Sequence, residues 1–112
     1  MATQLPDLPP ISKGAKRNVS ISLDNDLASG VLLTGTPTVI ELTTSALVIA
    51  DQAVSSATLT IDQKPVIAGR AVQFSVDAAA ATIGTTYRIQ ITVTADDAPD
   101  ERLVYWVDLP CE

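Results

Sequence analysis

The chain predicts an all-β fold: an antiparallel sandwich of about seven strands (residues 17 to 112), preceded by an extended N-terminal arm (residues 1 to 16). Three observations carry that prediction. From Tyr87 to Thr94 apolar and polar residues alternate, with Tyr87, Ile89, Ile91 and Val93 on one face and Arg88, Gln90, Thr92 and Thr94 on the other, the period of a strand with one buried side. Short apolar runs separated by turn residues recur along the chain, and no long 3.6-residue period interrupts them. Finally, 46% of the 112 residues are apolar, and β-branched Val, Ile and Thr are prominent, which favours pleated sheet. A chain of this size holds one domain with a real core.

The arm comes first. Pro6, Pro9, Pro10 and Gly14 break any regular period, so residues 1 to 16 read as extended chain with polyproline character. Leu5, Leu8 and Ile11 recur every third residue, which aligns them along one side of a three-per-turn extended helix. Such a stripe is expected either to dock on a neighbouring protein or to pack on the chain's own sandwich. Lys13, Lys16 and Arg17 place three of the seven basic residues within five positions. This cluster is too short for a convincing nucleic-acid site and reads as a solvated tail or a protein contact.

Arg17 to Leu23 alternates with Val19, Ile21 and Leu23 inward, and Asp24-Asn25-Asp26 turns the chain. Gly30 to Thr34 continues or bulges. Thr36 to Thr44 starts with Pro37, where proline does least harm to a ladder. Leu47 to Ile49 is a continuous apolar run. Ala57 to Ile61 alternates, Lys64-Pro65 reads as a turn, and Ala71 to Val76 puts Val72, Phe74 and Val76 on one face. Ala78 to Ala81 is too short for a stable helix alone and reads as a loop or one helical turn. The chain closes with a hairpin: Gly84 to Ala95, an acidic tip from Asp96 to Glu101 with a turn at Pro99, and Arg102 to Leu109.

Tyr87 opens the first strand of that hairpin, just after Gly84-Thr-Thr. This is where the tyrosine corner of an immunoglobulin-like sandwich stands, with its ring in the core and its hydroxyl tied to backbone; the alternative is an ordinary half-buried strand tyrosine. Trp106 is the one tryptophan. If Tyr105 points inward with Leu103, Val107 and Leu109, Trp106 points outward with Val104 and Asp108 and is a candidate anchor for a partner. The opposite register would put it inside.

Composition removes several functional classes. There is no histidine and one cysteine, Cys111, so Cys/His zinc sites, internal disulfides and imidazole catalysis are excluded. The serines and threonines lack an activating base. Residues 18 to 112 hold four basic against twelve acidic side chains, a net of −8 within a chain of −6, which repels nucleic-acid phosphates. No run approaches a membrane span, and the start lacks signal-peptide features, so the chain reads as soluble and made in the cytoplasm. Asp24, Asn25 and Asp26 carry oxygen ligands of the kind calcium takes, but too few of them. The acidic tip is expected at the opposite end of the sandwich from that loop, with Asp96, Asp97, Asp100 and Glu101 near Lys13, Lys16 and Arg17 of the same or an adjacent copy. No cofactor or metal is implied, and Cys111 reads as an unreactive tail residue.

Several features together resemble the small immunoglobulin-like virion proteins of tailed bacteriophages that act as fibre-to-tail adaptors. They are the opening alternating strand, the Leu27-Ala-Ser-Gly30 segment, Gly84-Thr-Thr-Tyr-Arg-Ile89, and the hairpin from Ile91 to Val107 with Arg102 after its acidic tip. The chain departs from that pattern in having no early tryptophan and in carrying Asp96-Asp-Ala-Pro-Asp-Glu101 at the last turn. The resemblance implies a non-enzymatic virion protein, assembled in the host cytoplasm, that joins a fibre or another component to the tail. Implied partners are other virion proteins (a tail adaptor or nozzle, a fibre N-terminus, or a capsid protein), with several copies per particle and no nucleic acid or membrane. Leu5, Leu8, Ile11, Lys13, Lys16, Arg17 and Trp106 are the expected contact residues and Tyr87 the structural one. A capsid decoration or cement protein and, less closely, a receptor- or glycan-binding module are the alternatives.

Overall fold

A computed structural model describes residues 3–24, 26–43, 46–61, 63–98 and 100–112; the expected turn positions Asn25 and Pro99 lie outside them. Among the described residues there are nine strands: β1 Thr3–Gln4, β2 Lys16–Ser22, β3 Leu33–Glu41, β4 Val48–Val54, β5 Leu59–Ile61, β6 Lys64–Val66, β7 Ala71–Asp77, β8 Thr86–Ala95 and β9 Leu103–Pro110. They form a sheet of order β1-β9-β8-β3, a sheet of order β2-β7-β4 and a separate β5-β6 hairpin. All pairings are antiparallel except β1 with β9. The inward side chains of both main sheets merge into one core, so the protein is an all-β sandwich.

The alternation read from the sequence is the alternation that buries. Tyr87, Ile89, Ile91 and Val93 of β8 face Val19 and Ile21 of β2 and Phe74 and Val76 of β7 across the interior. Each such side chain contributes on the order of 1.5–3 kcal/mol of transfer free energy. In the middle strand β7 even the outward Ser75 is buried, its hydroxyl bonded to Ala50 O at 3.2 Å. The Tyr87 ring is 1% exposed, and its hydroxyl accepts the Thr82 N–H at 2.7 Å, fastening the 78–85 loop to the strand that follows it.

The strand boundaries differ from expectation in two places. The segments expected at 30–34 and 36–44, the last residue of which lies outside the described residues, join within Leu33–Glu41 as one strand, because β3 carries a bulge: Thr34 pairs with Thr94 and Thr38 with Thr92, so four steps on β3 match two on β8. Gly35, at φ +72, makes the excursion possible. Lys64-Pro65 is not a turn but half of the β5-β6 hairpin, where proline is tolerated because the hairpin has only edges. A second bulge interrupts β4 between Ala50 and Ala53, with Asp51 at φ +57. The edge strands β3 and β4 are thus both irregular, which blunts these two edges against edge-to-edge aggregation.

The arm is not free. Thr3 and Gln4 pair in parallel with Tyr105 and Trp106. Beyond them the N–H groups of Leu5, Leu8 and Ile11 donate in turn to Trp106 O, Asp108 O and Pro110 O at 2.8–2.9 Å. The period of three is therefore real, but the stripe packs on the chain's own sandwich: Ile11 is 2% exposed, and Leu5 and Leu8 pack against the core. Pro6, Pro9 and Pro10 have no N–H, so the residues between them supply the bonds. Cys111, expected as an unreactive tail residue, is buried beside Ile11 in a parallel bridge, and its backbone bonds Gly84 and Thr85.

Candidate interaction surfaces

The outward face of the four-stranded sheet is built by the register of three long strands. Ile40, Gln90, Trp106 and Gln4 stand opposite one another in one row, and Thr38, Thr92 and Val104 form the next. Trp106 therefore points out of the sandwich while Tyr105, 5% exposed, points in. The Arg88 guanidinium lies 3.7 Å from the centre of the Trp106 ring, and its Nε donates to Asp108 Oδ1 at 3.2 Å. Stacking of this kind contributes about 0.5–1 kcal/mol at an exposed site, and the exposed ion pair roughly 0–1 kcal/mol. Their main effect is order, since Trp106 and Arg88 are held in one geometry before any partner arrives. Beside them Ile40 and Leu42 remain 46% and 50% exposed. A preorganised tryptophan and arginine flanked by exposed aliphatics is the residue set found at the centre of protein contacts.

The expected contact residues at the N-terminus are dispersed by the fold. Ile11 is withdrawn into the core, which removes it as a contact residue. Arg17 donates to Pro10 O at 3.1 Å and Pro9 O at 2.9 Å, so it staples the arm to β2. Lys13 and Lys16 are exposed; the Lys13 N–H bonds Glu112 O, and Lys16 stands opposite Asp77. None of the three basic residues lies beside the acidic tip. The arm runs the length of β9 from Tyr105 toward Cys111 before the chain turns into β2, which carries Lys13 and Lys16 to the end of the sandwich away from the hairpin tip. Among the described residues, the charge pairing expected within one chain is therefore absent.

The opposite end holds the acidic tip together with the loop after β2, which the sequence reading had put apart. Asp96 accepts the Leu32 N–H, and Asp26, Ala28, Asp97 and Glu101 line a shallow cavity of about 250 Å³. Among the described residues no group of three or more potential ligands could hold a metal ion. The loop is organised instead by Arg70, which the sequence reading passed over. Its side chain is 7% exposed, and all five guanidinium N–H groups are committed: to the Asp24 carboxylate and to the carbonyls of Asp24, Leu27, Ala28 and Val31, the four carbonyl bonds at 2.7–2.9 Å. The one available signal was an arginine between Gly69 and the apolar run Ala71-Val72, where a solvated charge is out of place. Burial, and secondarily the Asp26 charge, raises the Tyr105 phenol above its usual range.

The chain matches no protein-family model, no curated protein and no solved structure.

Proposed function

We propose that the protein is a non-enzymatic structural component of a tailed-phage virion, an adaptor that attaches a fibre or another component to the tail. The observation that carries the binding part of this reading is the outward sheet face, where Trp106 is held under Arg88 and exposed Ile40 and Leu42 stand across β8 on the same face. Such a face suits rigid-body docking, because little side-chain entropy is lost when the partner arrives. The virion part rests on the likeness of sequence features described above. It is supported by a strand order in which the first strand runs parallel along the last and a buried tyrosine hydroxyl is tied to the preceding loop, both compatible with an immunoglobulin-like sandwich. Lys13, Lys16 and the exposed face around Trp106 are the contact candidates that the fold leaves accessible.

The test is immunogold labelling of phage particles from the source lysate with antibody against the recombinant protein. Label on the tail supports the adaptor reading, and uniform label on the capsid shell replaces it with the cement reading. Particles without label overturn both. If particles can be reconstituted, Trp106→Ala combined with Ile40→Asp should abolish incorporation while the isolated protein keeps its thermal midpoint.

A further inference from the structure

We propose that the groove between the arm and β2 is an acceptor for one extended segment of a partner protein, which adds as a strand to the free edge of β2 and carries basic residues. The groove encloses about 600 Å³ and is walled on one side by every residue from Arg17 to Leu23 and on the other by Gln4 to Pro9, with Val107 at its floor. Among the described residues strand β2 pairs only with β7, and its far edge has no strand partner.

The backbone phase can be read from the two ends of that ladder. Ala15 O accepts the Ala78 N–H and the Leu23 N–H donates to Arg70 O, so the odd-numbered residues of β2 address β7. The alternate residues, Asn18 and Ser20 among them, turn their N–H and C=O groups into the groove. The arm does not satisfy them, because Pro6, Pro9 and Pro10 have no donors and the N–H groups of Leu5, Leu8 and Ile11 are spent on β9. A run of unpaired backbone groups along an apolar cleft selects an extended chain over a compact ligand. Main-chain bonds supply affinity, and alternate side chains fill the space above Val19, Ile21 and Val107.

Charge decides which chain. Asp7 and Asp26 stand exposed on the rim, whereas Arg17 is already bound to the Pro9 and Pro10 carbonyls. A second copy of this protein, with net charge −6, would bring acid against acid at both rims. A segment alternating apolar and basic residues meets complementary charge instead. This assignment is independent of the virion reading and stands or falls on its own test.

The experiment titrates a capped heptapeptide of alternating valine and lysine onto the isotope-labelled full chain and follows the amide resonances. The expected result is saturable shifts centred on Asn18 and Ser20. Ser20→Pro, at an edge position that accepts proline, should weaken binding by about tenfold or more, equivalent to the loss of the main-chain bonds around one residue. Asp7→Lys with Asp26→Lys should weaken it further at low salt. A peptide N-methylated at every residue has no main-chain donor left for the β2 edge and should not bind, which tests the idea even if Ser20→Pro fails to fold. The inference is overturned if millimolar peptide leaves Asn18 and Ser20 unmoved, if the N-methylated peptide binds equally well, or if the chain sediments as a dimer with those amides protected.

Discussion

Replacing Arg70 should be among the most damaging single changes available to this fold. The side chain is 7% exposed and bridges β7 to the loop after β2 through the carbonyls of Asp24, Leu27, Ala28 and Val31 as well as the Asp24 carboxylate. In Arg70→Ala these acceptors lose their donors together. The Asp24 carboxylate, 44% exposed, is rehydrated cheaply. Val31 O lies in a buried bond, and leaving such a group unpaired costs about 1–3 kcal/mol. The three part-buried carbonyls are reached by water with less loss each, which puts the total at about 3–5 kcal/mol. For a domain whose whole stability is on the order of 5–15 kcal/mol, that is a large share. Arg70→Lys keeps the charge but offers three donors from one point instead of five in a planar fork, and should lose about half as much. Urea unfolding followed by far-UV circular dichroism gives both numbers, with Trp106 fluorescence as a second probe. An Arg70→Ala loss under about 1 kcal/mol would refute the reasoning, since it would mean that the loop keeps its shape without the guanidinium.

Tyr87→Phe leaves the ring in place but strands the Thr82 N–H, and a loss of about 1–2 kcal/mol is expected by denaturant titration; a neutral result would make the hydroxyl bond incidental. Ile11→Ala should destabilise the isolated domain by about 2–4 kcal/mol because the side chain is 2% exposed in the core, and no loss in thermal unfolding would mean that the arm is detached in solution. The Tyr105 phenol is raised by burial and by Asp26, so above its ordinary value the unfolded chain releases this proton while the folded one retains it. Stability from this group is full below about pH 10 and falls as pH rises toward the folded value. Unfolding midpoints measured from pH 8 to 11 should therefore fall more steeply for the wild type than for Tyr105→Phe, and parallel slopes would contradict the shift.

The sequence by itself determined the all-β class and the inward faces of β2, β7 and β8, because a period of two and the need to bury apolar area are local properties that each strand carries alone; the inward face of β9, with an aromatic residue on either side, was decided by the tertiary register. It also determined that Leu5, Leu8 and Ile11 act as one stripe. What covers that stripe was decided by tertiary structure: only once β9 lies outermost of the three long strands, with its side away from β8 open to the arm, do its outer carbonyls become the acceptors for the arm. The same holds for the ends of the sandwich. Which loops share an end depends on how far the arm travels before β2 begins, and an arm that spans β9 moves Lys13 and Lys16 away from Asp96 to Glu101 while leaving Asp26 beside Asp97. Arg70 escaped the sequence reading for a related reason. Its partners are four carbonyls, which every residue type carries, so nothing in the side chains of residues 24 to 31 announces that a guanidinium will sit among them. The open groove on β2 belongs to the tertiary level as well, since it exists only because the arm's prolines cannot pair with the edge they face.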